Sequence, residues 1–203
     1  MVEDQLRPRG ITDDRVLDAM GEVPRELFVP ESEREMSYAD GALPIGYEQT
    51  ISQPAMVAEI CQALQLKGDE RVLEIGTGSG YSAAVLSRLC REVVSIERIP
   101  ELTRSAEAAL ARAGVENVKC IVGDGSIGQA AGAPWDAIAV HAGAPEVPRA
   151  LVDQLETGGK LVLPVSVDGG EVLTRVTRDE TGETREEELG QCRFVPLIGE
   201  AGF

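Results

Sequence analysis

Little in this sequence is suited to holding a metal. Its one histidine, His141, and its four scattered cysteines, Cys61, Cys90, Cys120 and Cys192, include no C-x-x-C pair. Neither a zinc site nor a disulfide framework is therefore expected, and the cysteines read as small buried hydrophobes in a reducing compartment. Aromatic residues make up 3% of the chain against a hydrophobic content of 43%, so the core must be built from Val, Leu, Ile and Ala. No apolar run approaches the ~20 residues needed to span a bilayer. The start, Met-Val-Glu-Asp-Gln-Leu-Arg, lacks the basic-then-apolar form of a signal peptide. No membrane partner and a cytoplasmic location are expected.

Positive charge is also scarce. Lys67, Lys119 and Lys160 are the only lysines, and 35 acids set against 19 basic residues leave a net charge of −16. A field of that sign repels nucleic acid and releases no counterions from it, which argues against a nucleic-acid substrate. The same excess suggests adaptation to high salt, where self-repulsion is screened over a few Å.

What the chain does have is Arg71-Val-Leu-Glu-Ile-Gly-Thr-Gly-Ser-Gly-Tyr-Ser82. It reads as a short buried strand, a turn with Gly76, Gly78 and Gly80, and a helix to about Cys90. Glycines at alternate positions admit positive φ and let a ligand approach the backbone, and the helix start offers free N–H groups. The third glycine comes four residues after the first, not five as in the dinucleotide fingerprint. No Gly-Lys-Ser or Gly-Lys-Thr is present, which excludes the triphosphate loop. Two acids follow at the ends of successive strands: Glu97 after Val93-Val-Ser-Ile, suited to both hydroxyls of a ribose or to capping the helix at Pro100, and Asp124-Gly125 after Val118-Lys-Cys-Ile-Val-Gly, either beside a base or an ordinary turn.

The order strand, helix, strand, helix, strand from Arg71 onward predicts an α/β fold with a doubly wound, mostly parallel sheet. Helices are expected over Ile11–Met20 with Thr12 or Asp13 as cap, from Pro54 to a stop at Gly68, over Pro100–Ala113 and over Glu146–Leu155. Further strands are expected over Ala137–Ala142 and Lys160–Val165. A hairpin at Asp168-Gly169-Gly170, a charged turn over Asp179–Glu188 and a last strand over Arg193–Ile198 would bring the sheet to seven strands. Tyr38–Ser52 reads as a long functional connection. One domain is expected: an N-terminal helical and substrate-loop segment (1–66), a cofactor-binding core (67–165) and closing antiparallel strands (166–203).

With Glu74 ahead of it, the E-x-G-x-G-x-G pattern resembles the first motif of class I S-adenosylmethionine-dependent methyltransferases. Leu43-Pro-Ile-Gly-Tyr-Glu-Gln-Thr-Ile-Ser-Gln-Pro-Ala-Met-Val-Ala58 then resembles the substrate motif of protein-L-isoaspartate (D-aspartate) O-methyltransferases. Arg25-Glu-Leu-Phe-Val-Pro30, Ala144-Pro-Glu-Val-Pro148, Gly158-Gly-Lys-Leu-Val-Leu-Pro164 and Arg193-Phe-Val-Pro-Leu197 agree with it, so the similarity covers nearly the whole chain.

The resemblance implies a Rossmann-like fold and a protein-repair reaction. A methyl group passes from S-adenosyl-L-methionine to the free α-carboxylate of an L-isoaspartyl residue, or of a D-aspartyl one, in a damaged protein; S-adenosyl-L-homocysteine is left. The ester then collapses through a succinimide back to aspartate. It further implies Ser52 as the active-site residue and a cofactor site from Gln49, Thr50, Ile51, Ser52, Glu74, Gly76, Thr77, Gly78, Gly80, Glu97, Asp124 and Gly125, with no metal. Isoaspartyl proteins and peptides are the expected partners and a monomer the expected assembly. Two residues depart from the pattern: Ala55, where bacterial relatives often have tyrosine, and His141, where a small or hydroxyl residue is common.

Other readings stay open. Ser52 ahead of Pro54 is also a good helix cap. His141 reads as a pocket wall or a satisfied core residue, and Arg25, Arg34, Arg149 and Arg193 are unranked candidates to hold peptide carboxylates. A small-molecule methyltransferase is the main alternative function. A base methyltransferase is disfavoured because His141-Ala-Gly-Ala-Pro145 lacks the Asn/Asp-Pro-Pro-aromatic motif. A nucleotide-binding oxidoreductase is disfavoured by the glycine spacing.

Overall fold

The computed structural model describes residues 1–203. A two-stranded antiparallel hairpin comes first, β1 (Leu43–Gly46) against β2 (Gln49–Ile51). The main sheet holds β3 (Arg71–Ile75), β4 (Glu92–Glu97), β5 (Val118–Val122), β6 (Trp135–Val140), β7 (Leu155–Val167), β8 (Gly170–Arg178) and β9 (Thr184–Cys192). Their order is β5-β4-β3-β6-β7-β8-β9; β5 to β7 run parallel and β7, β8 and β9 alternate in direction. The chain winds outward from β3 through β4 to β5, then returns to lay β6 on the other side of β3. The order reverses between β3 and β6, which opens a crevice at their carboxyl ends.

Side chains alternate across the central strands, so each face builds its own core. Val72, Val93, Ala137, Ala139 and Val162 pack on one face with α1 (Asp14–Glu22), α2 (Pro54–Leu64) and α3 (Tyr81–Ser87). Leu73, Ile75, Ile138, Val140, Leu161 and Leu163 face the other way, covered by Trp135, Leu197 and Leu151 of α5 (Arg149–Val152). The first face also takes Ala109 and Leu110 of α4 (Pro100–Arg112).

The helix starts follow from local chemistry. Asp13 caps α1 by accepting from the Arg15 N–H at 2.9 Å. Pro54 and Pro100 open α2 and α4, where a missing N–H is harmless.

Several boundaries differ from those expected. α2 ends at Gln65, in the left-handed region at φ 54°, before Gly68 is reached. The helix expected over Glu146–Leu155 shrinks to α5, because Pro148 cannot lie inside it and biases its predecessor away from helix. Gly158 and Gly159, expected beyond that helix, lie within β7. The charged segment is a turn only over residues 179–183, where Asp179 accepts from the N–H groups of Thr181 and Glu183. From Thr184 it becomes β9, an edge strand almost wholly exposed, because pairing with β8 outweighs the weak strand preference of its glutamates.

Consequently the seventh strand is β9 and not Arg193–Ile198. That last segment includes Pro196, which cannot donate to a ladder. It crosses the end of β6 instead, with the Gly143 N–H donating to the Val195 carbonyl and the Leu197 N–H to the Gly143 carbonyl, both at 2.8 Å. The Tyr38–Ser52 connection is likewise not structureless, since it contains β1 and β2.

Candidate active site

A cleft with about 740 Å³ of empty space, its open side included, sits at the carboxyl ends of β3, β4 and β6. It has two walls. The first is the glycine turn. Gly76, Gly78 and Gly80 take φ of 90°, 53° and 86°, a region that side chains disfavour. The N–H groups of Gly76 and Thr77 donate to the Ile96 carbonyl at 2.9 and 3.3 Å. Glu97 completes the tie: one oxygen accepts from the Gly78 N–H at 2.9 Å and the other from the Ile99 N–H at 3.0 Å. The residue thus fixes the turn and the start of α4 together, while each carboxylate oxygen keeps a lone pair for a ligand.

The glycines do different jobs. Gly76 and Gly78 line the cleft. A Cβ on Gly80 would stand 3.1 Å from that of Ala106, so this glycine lets α3 and α4 approach each other and does not reach the cleft. Gly125 does line it, and a Cβ there would lie 2.5 Å from Ile75 Cγ2. Asp124 is occupied elsewhere: Oδ1 accepts from the N–H and hydroxyl of Ser126, and Oδ2 from the Glu200 N–H.

Glu74 lies one layer beneath the cleft and is fully buried. The strand register sets Ser95 beside it, and the Ser95 hydroxyl donates to Glu74 Oε2 while receiving the Thr77 hydroxyl at 2.5 Å. His141, at the end of β6, is bonded through Nε2 to the Ser82 hydroxyl at 2.6 Å and stands 3.5 Å from Glu74 Oε1. Burial pushes the Glu74 carboxyl up to about 7, with the Ser95 hydrogen bond opposing it, and pushes the His141 imidazole down to about 4. Each group is driven toward its neutral form. His141 therefore lines the cleft as a neutral ring at pH 7 and not as an ion-pair partner.

The second wall is the hairpin with its following residues, Gln49 to Ser52. Its turn puts Gly46, Tyr47 and Glu48 at φ 88°, 53° and 58°; two of these are bulky side chains in left-handed backbone. The hairpin leans over the glycine turn, where Ile45 Cδ1 would be 3.4 Å from a Cβ on Gly78. Ser52 is not the cap of α2: Gln53 holds that position, without a side-chain bond. The Ser52 carbonyl accepts from Arg25 Nη2 at 2.7 Å, and the residue lines the cleft without capping the helix.

Of the four candidate arginines, Arg25 is fully buried and stacks 4.6 Å from the centre of the Tyr81 ring. Arg34 and Arg149 are exposed beside Glu31 and Asp153, and Arg193 is exposed. The sequence reading did not include Tyr81, Ser82, Arg98 or the Val195–Ile198 crossing, all of which line the cleft. The Arg193–Leu197 segment carried a family resemblance but no sign that it reaches the cleft, since it arrives from the far end of the chain.

The model of the family described as "Protein-L-isoaspartate(D-aspartate) O-methyltransferase (PCMT)" matches residues 1–202. The chain belongs to this family. It is an S-adenosylmethionine-dependent methyltransferase. A Marinobacter nauticus protein named protein-L-isoaspartate O-methyltransferase 2 is 54% identical, the match covering 100% of this chain and 93% of that one. A Rhodopseudomonas palustris protein named protein-L-isoaspartate O-methyltransferase 1 is 53% identical, with 100% and 83% covered. A putative protein-L-isoaspartate O-methyltransferase from Plasmodium falciparum, solved in complex with S-adenosyl-L-homocysteine, gives a TM-score of 0.83 at 28% identity over 97% of this chain and 96% of that one. No helix of this family member is long and apolar enough to cross a membrane.

Proposed function

We propose that this enzyme methylates the free α-carboxylate of L-isoaspartyl residues in damaged proteins and peptides, with the glycine-turn wall holding the methyl donor and the hairpin wall holding the acceptor. The observation that carries this reading is Ser52, which lines the cleft without capping the helix it precedes and shares that cleft with a carboxylate suited to a ribose.

The residues present fit the cofactor. Glu97 keeps acceptor capacity for two ribose hydroxyls, Gly76 to Gly78 leave room for close backbone approach, and Ile96 with Leu197 and Ile198 offers an apolar flank for a base. When bound, S-adenosyl-L-methionine supplies an electrophilic methyl group on a cationic sulfur. The acceptor carboxylate, with a pKa near 4, is already ionised at neutral pH, so no residue need remove a proton. His141, neutral and bonded to Ser82, is accordingly not required as a base. Ser52 donates a hydrogen bond to one carboxylate oxygen and leaves the other aimed at the methyl group, so the chain's own contribution is orientation and exclusion of water.

Damaged proteins met in the cytoplasm by a monomeric enzyme are the proposed partners, and the net charge of −16 disfavours nucleic acid. Incubation with methyl-labelled S-adenosyl-L-methionine and two peptides differing only in an isoaspartyl or aspartyl linkage tests the reading. Base-labile label on the isoaspartyl peptide alone is expected. Label on neither peptide, with cofactor binding intact, assigns the site to another acceptor, such as a small molecule.

A further inference from the structure

The molecule carries a charge of −16, yet its acceptor is an anion. The donor's sulfonium brings positive charge to the reacting methyl group only, and the chain's own lining offers one cation, Arg98, exposed next to Glu97 on the donor side. A second cation lies directly behind the acceptor wall. Arg25 is 0% exposed. Its Nε donates to the Ser37 carbonyl and its Nη2 to the Ser52 carbonyl, each at 2.7 Å. Its plane covers Tyr81, which lines the cleft, and Nη1 is buried with no partner.

Arg25 forms no ion pair with any carboxylate, and the side chain it packs against is the neutral ring of Tyr81. A guanidinium is protonated at any working pH, and a buried charge without a counter-charge is expensive. Such an arrangement is retained when the missing charge comes with the ligand. We propose that Arg25 selects an ionised acceptor, holding Ser52 by its carbonyl and supplying the positive charge that an incoming carboxylate meets across that one residue. The inference rests on the acceptor reading given above. Arg25 is a positioning residue, since Ser52 stands between it and the substrate. A single charge at that range in a partly desolvated site corresponds to a preference on the order of tenfold to a hundredfold for anion over neutral isostere.

The test compares an isoaspartyl peptide with its α-carboxamide counterpart, binding each to the full-length enzyme saturated with S-adenosyl-L-homocysteine. The variants are Arg25→Gln, Arg25→Lys and Arg98→Gln. Wild type and Arg98→Gln are expected to prefer the carboxylate, Arg25→Lys to keep most of that preference, and Arg25→Gln to lose about tenfold or more of it with cofactor affinity within twofold. A purely structural Arg25 would weaken both peptides alike, and that result, or an unchanged ratio in Arg25→Gln, overturns the inference.

If Arg25→Gln does not fold, the titration of the bound acceptor decides, read in the double variant Ser52→Ala, Arg98→Gln so that neither the Ser52 hydroxyl nor Arg98 accounts for it. A carbon-13 label on the acceptor carboxylate is expected to titrate below its free-peptide value when bound, and a shift above that value overturns the inference. Wild-type methyl transfer to the isoaspartyl peptide separates the two readings: with transfer intact a failed comparison removes only the role of Arg25, and without transfer the acceptor assignment falls and takes this role with it.

Discussion

The two walls of the cleft are held in opposite ways. The glycine-turn wall is secured from within: Ile96, Glu97 and the buried Thr77–Ser95–Glu74 chain bind it to the strands on which it stands. The hairpin wall has two strands, a turn in left-handed backbone and an anchor borrowed from a residue 27 positions upstream, Arg25. The first wall suits a ligand that is always the same, because preorganised groups lose little freedom on binding. The second suits an acceptor presented on many different peptides, where one oriented carboxylate is the only shared feature.

If that division is right, substitutions on each wall affect different ligands. The largest effect is expected for Glu97→Ala, which removes two backbone ties and the proposed ribose acceptor together. S-adenosyl-L-homocysteine binding, measured by calorimetry, falls by about 3 kcal/mol or roughly a hundredfold, since hydrogen bonds to charged groups are worth about 1.5–3 kcal/mol each. Next is Ser52→Ala. It lowers kcat/KM for an isoaspartyl peptide about thirtyfold, near 2 kcal/mol, with cofactor affinity and melting temperature unchanged. Equal loss of cofactor affinity would break the comparison.

The third prediction concerns the polar layer under the first wall. Glu74 is raised to about 7 in the folded chain, so its contribution to stability is full below its unfolded value near 4.5 and is lost as pH rises through 7. His141 is depressed to about 4, so its contribution is full above its unfolded value near 6.5 and is lost as pH falls through 4. The two slopes oppose each other across the same window and nearly cancel, because the folded pair keeps one proton where the unfolded chain also keeps one. Glu74→Gln leaves the histidine slope alone, and urea unfolding should show stability falling by about 2 kcal/mol more than in wild type between pH 7 and pH 5. Parallel curves for the two proteins would show that the residues are not linked in this way. The smallest effect is that of salt: screening of the exposed acids between dilute and molar salt raises the melting temperature by about 3 °C, equivalent to ~1 kcal/mol for a chain of this size. An unchanged midpoint would count against adaptation to high salt.

The sequence and the structure agree most closely where a backbone requirement dictates a residue type. Gly76 and Gly78 were readable because positive φ favours glycine, whereas Glu97 and Gly125 also read as a helix cap and an ordinary turn, and only the fold brings both to the cleft. Gly80 has the same signature but serves helix packing, a distinction that needs the neighbouring helix to be seen. Glu74 looked like a ligand residue and lies one layer below, since the alternation of β3 turns it toward Ser95 and away from the cleft. Ser52 looked like a cap until Gln53 was seen to hold that position. The exposed strand β9 and the Val195–Ile198 crossing were misplaced for one reason: strand pairing and crossings are tertiary facts, and glutamate-rich or proline-containing segments carry no local sign of them.

The outer strand β9 presents an unpaired backbone edge with Glu186, Glu187 and Glu188 along it. At neutral pH those charges keep a second copy from adding its own strand to the sheet. Neutral substitutions at Glu186 and Glu188 therefore strip the protection from this edge, and aggregation should begin there, strand upon strand, while the cleft at the carboxyl ends of the parallel strands is still intact.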